Sequence, residues 1–376
     1  MCCQAALAPG GADAGDNRVS NILAIGVHLP RLRLSRGAMA NALGWLSGGA
    51  GAGKGSRTLA YWDEDSVTMA VAAARHALAR QAAPAIDALQ FASTTPPFAE
   101  PQNAAFVRAA LRLPATTLQD VHGTPRAGLL ALHMPLESGT RTLVAAADLP
   151  TALPGSTAEA AHAFVMLGRA LEDAAPGQKV LVAQFGQGAT ALLFEADEAV
   201  AGLAAPVSPA LRDGLAEDNY MKLLAFRGRI AWDRGLRGRF LVNEALSTAW
   251  RNADALLGFV GGRCRETGQV QFPPTRLAAT GGFHLDTQEP WPLADRGGRI
   301  ATFTADLLAF SPCPPNCYGL VDIDGGGRVL MEFTDPQASQ LEAGAAVAFA
   351  LRIKDLDPQT GYRRYFWKAL AAPTAD

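Results

Sequence analysis

The chain has 376 residues, of which 49% are hydrophobic, and its 33 basic and 35 acidic side chains nearly cancel to a formal charge of −2. This balance provides no basic field for a phosphate backbone, so we expect no nucleic-acid partner. No run reaches the roughly 18 apolar residues of a membrane helix and the N-terminus lacks a secretory pattern, so we predict a soluble, cytoplasmic protein.

The chain is longer than the about 250 to 300 residues that one hydrophobic core usually serves, so two domains are expected. Residues 1–20 are rich in Gly and Ala, and we predict that they are disordered. The segment 21–34, NILAIGVHLPRLRL, predicts a strand whose apolar run ends at Pro30. Five cysteines are too few and too unevenly placed for a disulfide framework, and we interpret them as reduced thiols: Cys2, Cys3, Cys264, Cys313 and Cys317.

A Gly-rich stretch in residues 41–58 partly fits the phosphate-loop motif GxxxxGK[ST]. Gly48, Gly53 and Lys54 match the motif, but Gly55 stands where the metal-binding hydroxyl is required. No apolar strand leads into the stretch. We therefore favour a flexible connection over a nucleotide loop.

From Asp63, the sequence DEDSVTMAVAAARHALARQ predicts a long buried helix, because an acidic and hydroxylic start precedes an Ala-rich body. We interpret Asp63, Glu64 and Asp65 as capping residues that complement the helix dipole, with an acidic metal cluster as the alternative. Apolar strands and helices then alternate, which indicates an α/β fold with a parallel or mixed sheet covered on both faces. The strands are predicted in 86–97, 116–121 and 141–148, and the helices in 101–113, 125–139 and 162–174.

Residues 179–197 predict two strands joined by a turn at Gly186 to Gly188, because a strand rather than a helix follows that turn. A polar, helical segment is predicted from 208 to 258.

Residues 261–282 have the frame of a zinc ribbon, whose four thiolates would stand at positions 264, 267, 278 and 281. Only Cys264 is a cysteine, and without the other ligands zinc binding worth roughly 10 kcal/mol is not available to this loop.

From about Trp291, short strands broken by Gly, Pro and Asp predict a small closed β-barrel of the OB type. Gly325 to Gly327 predict a tight turn between strands, with a phosphate contact from Arg328 as the alternative. Cys313 and Cys317 have three residues between them, and a three-thiolate site with Cys264 is the alternative to free thiols.

Two regions resemble known families. Residues 21–197 resemble the 3-hydroxy-3-methylglutaryl-CoA (HMG-CoA) synthases of the thiolase superfamily, through LPRLRLS, YWDEDSVTMAVAAAR, TPRAGLLAL and VLVAQFGQGATALLF. Residues 217–370 resemble acyl-CoA-associated proteins with a zinc ribbon and an OB fold, through FRGRI, GGRCRETGQVQFP, GLVDIDGGGR and WKA. The resemblance implies an incomplete α/β thiolase-like domain, followed by a small all-β barrel with a metal-free ribbon remnant.

This chain departs from the first family at the positions where the resemblance implies catalytic residues. The resemblance implies a cysteine nucleophile at a helix start, where this chain has Thr124, Pro125 and Arg126. It implies a glutamate base where this chain has Thr94 and Thr95. The part of the family's second half that carries its catalytic histidine is also missing before residue 162.

His122 lies beside the expected nucleophile position, and it is either a weak candidate for acid or base work or a structural residue. The second resemblance implies contacts with an acyl-CoA channel from Phe310, Tyr318, Arg328, Trp367 and Lys368. Aromatic residues of the barrel are more often core than channel.

The expected function is that of a non-catalytic, auxiliary subunit of an acyltransferase complex, which helps to form or close the acyl-CoA site of a partner thiolase. A coenzyme A thioester would be the substrate of this hetero-oligomer, and the chain itself would bind no cofactor or metal. The alternatives are an active acyl-CoA transferase with a non-cysteine site, and a stand-alone module that binds CoA thioesters. The predicted segments are 1–20 (disordered), 21–200 (thiolase-like), 201–260 (helical linker or docking segment), 261–290 (ribbon remnant) and 291–372 (OB fold).

Overall fold

A computed structural model of the chain describes residues 22–45, 54–79, 85–100, 102–138, 140–149, 159–185, 188–196, 207–212, 214–230, 245–279, 282–335, 341–357 and 360–371. The predicted disordered segment 1–20, Cys2, Cys3 and the glycines at 48, 53, 186 and 281 lie outside these ranges. Within them, no helix has the length and apolar character needed to cross a bilayer.

Regular structure alternates in the first half of the chain and is almost all strand in the last third. The helices are α1 (Arg36–Leu43), α2 (Ser66–Leu78), α3 (Asn103–Leu111), α4 (Ala127–Ser138), α5 (His162–Glu172), α6 (Val207–Arg212), α7 (Tyr220–Phe226), α8 (Leu246–Arg251) and α9 (Ala253–Leu256). The strands are β1 (Leu32–Ser35), β2 (Ser56–Leu59), β3 (Ala88–Ser93), β4 (Thr117–His122), β5 (Thr142–Ala146), β6 (Lys179–Phe185), β7 (Ala189–Glu195), β8 (Leu215–Glu217), β9 (Val260–Cys264), β10 (Val270–Gln271), β11 (Gln288–Pro292), β12 (Gly298–Asp306), β13 (Asn316–Ile323), β14 (Arg328–Thr334), β15 (Ala346–Leu356) and β16 (Arg363–Ala371).

The predicted α/β alternation is confirmed by a three-stranded parallel sheet in the order β4-β3-β5. Every residue of the central strand β3 is buried, as expected for a strand with neighbours on both sides and helices on its faces. Parallel strands place their carboxyl ends at one edge of the sheet. The residues after Ser93 and His122 therefore lie near each other.

The predicted strand over 21–34 is wrong in extent. Only Leu32–Ser35 forms a strand, β1, which begins after Pro30 instead of ending there. Proline has no backbone N–H to contribute to a sheet, so it suits the approach to a strand better than its interior. β1 pairs with β2 and, in parallel, with β8, a short strand in the segment predicted to be helical.

The predicted hairpin is confirmed as β6 and β7, which pair in antiparallel register from Lys179↔Glu195 to Phe185↔Ala189. Burial alternates strictly along β6, so one face of this hairpin is buried and the other is exposed. The buried face belongs to a cluster with α5, which includes Leu167 and Leu171.

The last third contains two sheets. β10, β9 and β11 form a small sheet that includes part of segment 261–282, and β12 to β16 form a closed barrel in the order β12-β13-β14-β16-β15. The predicted turn at Gly325 to Gly327 joins β13 to β14, and all three glycines have positive φ angles, of 86°, 113° and 95°. L-residues rarely adopt such angles, which explains the three consecutive glycines.

The two regions share their largest buried cluster. It joins residues of α2 and β3, such as Val67 and Phe91, to barrel residues such as Phe349 and Trp367. Phe259, at the entrance to β9, is completely buried between them and stacks on Trp367 with ring centroids 5.9 Å apart. The barrel is therefore docked on α2 and α3 through a continuous apolar core.

Candidate functional site

The expected nucleophile position lies between the end of β4 and the start of α4. His122 is exposed, and it lines a shallow surface groove with His133 and Met134. Gly123 has a φ of 87°, and Thr124 accepts the Arg126 backbone N–H in a local turn. The Arg126 guanidinium contacts the Thr190 hydroxyl on β7 at 3.4 Å.

Helix α4 approaches the chain just before α5 very closely. A Cβ atom on Gly128 would lie 2.1 Å from the carbonyl oxygen of Ala160, so only glycine fits there. The helix start is thus held in place as a catalytic turn would require. Its residues contain hydroxyl, imidazole and guanidinium groups but no thiol, and the described cysteines, Cys264, Cys313 and Cys317, all lie in the last third.

The expected base position, after β3, is occupied by a structural network around Asp148. The buried Asp148 carboxylate accepts hydrogen bonds from the Thr94 backbone N–H at 2.6 Å and from the Thr94 hydroxyl at 2.7 Å. It also accepts the backbone N–H of Ala161 at 2.8 Å. Asp148 therefore ties the segments after β3 and β5 to the start of α5, and Thr94 offers no carboxylate for proton abstraction.

The acidic residues 63–65 lie at the contact between α2 and the barrel. Asp65 caps α2 as predicted, accepting the Thr68 backbone N–H at 3.0 Å in a reciprocal capping box. Its second oxygen accepts hydrogen bonds from Arg363 and from the Tyr365 hydroxyl, both at 2.8 Å. One carboxylate thus stabilises the helix start and fixes β16 against it.

The interpretation of Asp63 and Glu64 as capping residues is wrong. Asp63 is 1% exposed and accepts a hydrogen bond from Lys368 at 2.8 Å, and Lys368 also contacts Glu332 at 2.9 Å. The Lys368 ammonium lies 4.5 Å from the centre of the Trp62 ring, a cation–π arrangement. These charges form pairs across the contact between α2 and the barrel.

Arg352 is the second buried cation of this network. Its guanidinium lies 3.2 Å from both Glu64 and Asp335, and Glu64 also bonds His28 at 2.9 Å. Burial raises the pKa of Glu64, but the charge of Arg352 and the hydrogen bond from His28 outweigh it and hold that pKa at about 2. Burial raises the pKa of Asp335 to about 6, against the attraction of Arg352 and with further repulsion from Glu64 and Asp63.

A second group of charges surrounds Arg227, just after α7. The Arg227 nitrogens Nε and Nη2 are buried and have no hydrogen-bond partner in the described part of the chain. Charges on Glu64, Glu159, Arg57 and Arg363 all act on this guanidinium. Burial lowers the pKa of Arg227 to about 10, so the side chain is protonated at neutral pH. Arg227 lies in the FRGRI sequence that contributes to the second resemblance, but sequence reasoning assigned it no role in a site.

The five barrel residues predicted to meet acyl-CoA do not form one surface. Trp367 is completely buried, and its Nε1 donates to the Leu257 carbonyl at 2.7 Å. Lys368 is 2% exposed within the ion-pair network. Arg328 is exposed and forms a two-pronged pair with Asp322, at 2.5 and 2.8 Å, beside the glycine turn. Trp367 and Lys368 therefore belong to the interior, and ligand contact stays a prediction for the half-buried Phe310 and Tyr318 and for Arg328.

The ribbon positions do not fit a zinc ion. The buried Cys264 sulfur contacts the Thr287 hydroxyl at 3.2 Å, Thr267 offers a hydroxyl, and Ala278 has no donor atom. Structural zinc sites use four thiolate or imidazole ligands in a tetrahedral arrangement. Among the described residues, no group of three or more His, Cys, Asp or Glu side chains is arranged to hold a metal.

No family model and no curated protein matches this chain. Among solved structures, it is similar to the curacin-pathway HMG synthase in complex with apo donor-ACP, at 12% identity over 72% of this chain and 98% of that one, with a TM-score of 0.45. It is also similar to the Ltp2-ChsH2(DUF35) aldolase, at 18% identity over 35% of this chain and 98% of that one, with a TM-score of 0.24.

A third similar structure is MvaS in complex with 3-hydroxy-3-methylglutaryl coenzyme A, at 25% identity over 45% of this chain and 38% of that one, with a TM-score of 0.29. The matched structures thus include HMG synthases as well as a DUF35 protein. Because each TM-score is below 0.5, these likenesses establish neither the activity nor the partners of this chain.

Proposed function

We propose that this protein is a non-catalytic, auxiliary subunit of a thiolase-type acyltransferase complex, in which a partner thiolase supplies the reactive cysteine. The observation that carries the proposal is the turn from Gly123 to Arg126. The turn sits at the carboxyl edge of a parallel sheet, at the start of a well-placed helix, but it offers no thiol. A scaffold needs packing and surface, whereas thioester chemistry needs a placed nucleophile and base.

We also assign the closed barrel to the OB type. Its strand order, first-second-third-fifth-fourth, and the parallel contact between β14 and β16 support this assignment. In the proposed complex, the barrel and the ribbon remnant help to close the partner's acyl-CoA site. The substrate of the complex would be a coenzyme A thioester, and Phe310, Tyr318 and Arg328 remain the barrel residues proposed to line its channel.

Exposed apolar side chains support a docking role. Leu181, Phe185 and Leu193 are 66%, 69% and 59% exposed on the outer face of the β6–β7 hairpin. A two-stranded sheet is rarely stable without a covering layer, and clustered apolar exposure often marks a protein interface. We propose that this face contacts the thiolase-family partner.

The proposal is tested by assaying thioester turnover in three samples. These are the purified chain alone, a thiolase-family protein alone, and the two proteins co-expressed and purified together. We expect no turnover by the chain alone and full turnover in the complex. Replacing the partner's cysteine should abolish the activity, whereas His122→Ala in this chain should leave it unchanged. If the isolated chain turns over the thioester and His122→Ala abolishes this turnover, the result would instead support the alternative of an enzyme with a non-cysteine site.

Docking is tested separately with Leu181→Asp and Leu193→Asp. Both positions are exposed, so these changes should leave the thermal stability unchanged while weakening co-purification with the thiolase-family protein. Val182→Asp, at a buried position of the same strand, should destabilise the fold instead. If the Leu181 and Leu193 variants bind the partner as tightly as the wild type, the hairpin face is not the docking surface.

A further inference from the structure

Arg227 presents an unused hydrogen-bonding edge. Its Nε and Nη2 groups lie on the same side of the planar guanidinium, and neither has a partner in the described residues. This pair of parallel N–H groups matches the two oxygens of one carboxylate or phosphate. Buried polar groups are nearly always hydrogen-bonded, so two orphan donors on one edge indicate a missing acceptor.

The neighbouring charges are already engaged elsewhere. Glu64 pairs with Arg352 and His28, and Arg363 pairs with Asp65. Glu159 lies 3.6 Å from Arg57. None of these contacts supplies an acceptor to the open edge of Arg227, so its positive charge lacks a bonded counter-charge in the described structure.

The charged groups around Arg227 extend to the protein surface. Arg57 and Glu159 have side chains that are 18% and 23% exposed, so this cluster reaches the protein surface. Gln184 donates from Nε2 to the Glu159 carbonyl at 2.6 Å, while its buried Oε1 finds no donor in the described chain. Gln184 thus contacts Glu159, whose charge acts on Arg227, and unsatisfied polar groups of this kind are a feature of polar ligand sites rather than of a closed core.

We propose that Arg227, assisted by the charge of Arg57, binds an oxyanion group of a small ligand with two oxygens on the Nε and Nη2 edge. The group would be a carboxylate on an acyl chain or a phosphate, since both present the same pair of acceptor oxygens. The site does not depend on the auxiliary role proposed above, because it needs only this chain.

The test uses the full-length chain and isothermal titration with three probes at constant ionic strength: succinate, inorganic phosphate and coenzyme A. We expect saturable binding of at least one probe. Preference for succinate would identify a carboxylate ligand, and preference for phosphate or coenzyme A a phosphate ligand. Arg227→Gln should weaken the preferred probe by about tenfold to a hundredfold, since a charge-assisted, two-pronged contact is lost.

Two further variants keep the test decisive. Arg227→Lys retains the charge but not the fork, so it should fold and still bind the probe about tenfold more weakly. Arg141→Gln removes an arginine whose side chain is 63% exposed and paired with Asp87, and it should leave binding unchanged. The inference is overturned if no probe binds saturably, or if both Arg227 variants bind as well as the wild type. Failure of the thiolase partnership would leave these binding results unaffected, so the two proposals fail separately.

Discussion

The Nζ atom of Lys368 lies 2.8 Å from Oδ2 of Asp63, and the two side chains are 2% and 1% exposed. Asp63 immediately precedes α2, whereas Lys368 is on the last strand of the barrel. The pair therefore joins two parts of the chain that are 305 residues apart, through charged groups that are buried away from water. Such a pair adds little net stability compared with apolar residues, but removing one partner leaves an uncompensated buried charge.

We expect Lys368→Met to destabilise the protein by roughly 3 to 5 kcal/mol, because Asp63 and Glu332 lose a buried cation. Unfolding in urea, followed by circular dichroism, measures the loss. The matched control is Lys354→Met, since Lys354 also bonds Glu332 but its side chain is 46% exposed. That variant should lose less than about 1 kcal/mol. Equal losses for the two variants would show that the buried pair has no special role.

Asp335 should make stability depend on pH between about 4 and 6. Burial raises the pKa of Asp335 to about 6, so the folded protein holds this proton more tightly than the unfolded chain does. The resulting stabilisation is present below the ordinary pKa near 4 and is lost as the pH rises through 6. We therefore expect the wild type to lose stability relative to Asp335→Asn between pH 4.5 and pH 7.

Urea unfolding of both proteins at the two pH values measures this difference. Asp322→Asn serves as the control, because hydrogen bonds from Arg328 lower the pKa of the Asp322 carboxyl, which is then ionised throughout this window. Its stability relative to the wild type should not change between the two pH values. A constant difference between Asp335→Asn and the wild type would contradict the prediction.

The loop over residues 264–281 should take up zinc only after three further cysteines are introduced at the positions predicted for zinc ligands. We expect the wild type to bind no stoichiometric zinc, because Cys264 alone cannot form a tetrahedral site. The triple variant Thr267→Cys, Ala278→Cys, Gly281→Cys should bind about one zinc ion per chain. Metal analysis of proteins purified in zinc-containing medium measures this. Changing Cys264 to Ser in the triple variant should then lower the zinc content, and stoichiometric zinc in the wild type would refute the prediction.

Asp148 should stabilise the fold more than an exposed aspartate of the same region does. Asp148→Ala leaves the Thr94 and Ala161 donors without their acceptor, at a cost of about 1 to 3 kcal/mol. Asp87→Ala removes a carboxylate that is 53% exposed and paired with Arg141, so it should cost less than about 1 kcal/mol. Thermal unfolding of both variants compares them. A similar melting temperature for the two would indicate that the Asp148 network is dispensable.

Local patterns predicted much of the fold. The helix after Asp65 and the barrel strands agree with the structure, because capping and hydrophobic alternation act over a few residues. The strand expected over 21–34 was wrong in extent, since β1 is defined by its partners β2 and β8 rather than by its own apolar run. β8 was missed for the same reason, because three residues carry too short a pattern to indicate a strand.

The sequence by itself determined which reactive groups are present: no cysteine at the turn before α4, and one thiol where a zinc ribbon needs four. Only the tertiary structure decided how the charges are used. It paired Asp63 with Lys368 and Glu64 with Arg352, buried Trp367, and left one edge of Arg227 without a partner among the described residues. The physical reason is that desolvation and ion pairing depend on distances between residues far apart in the chain, which no short-range periodicity encodes.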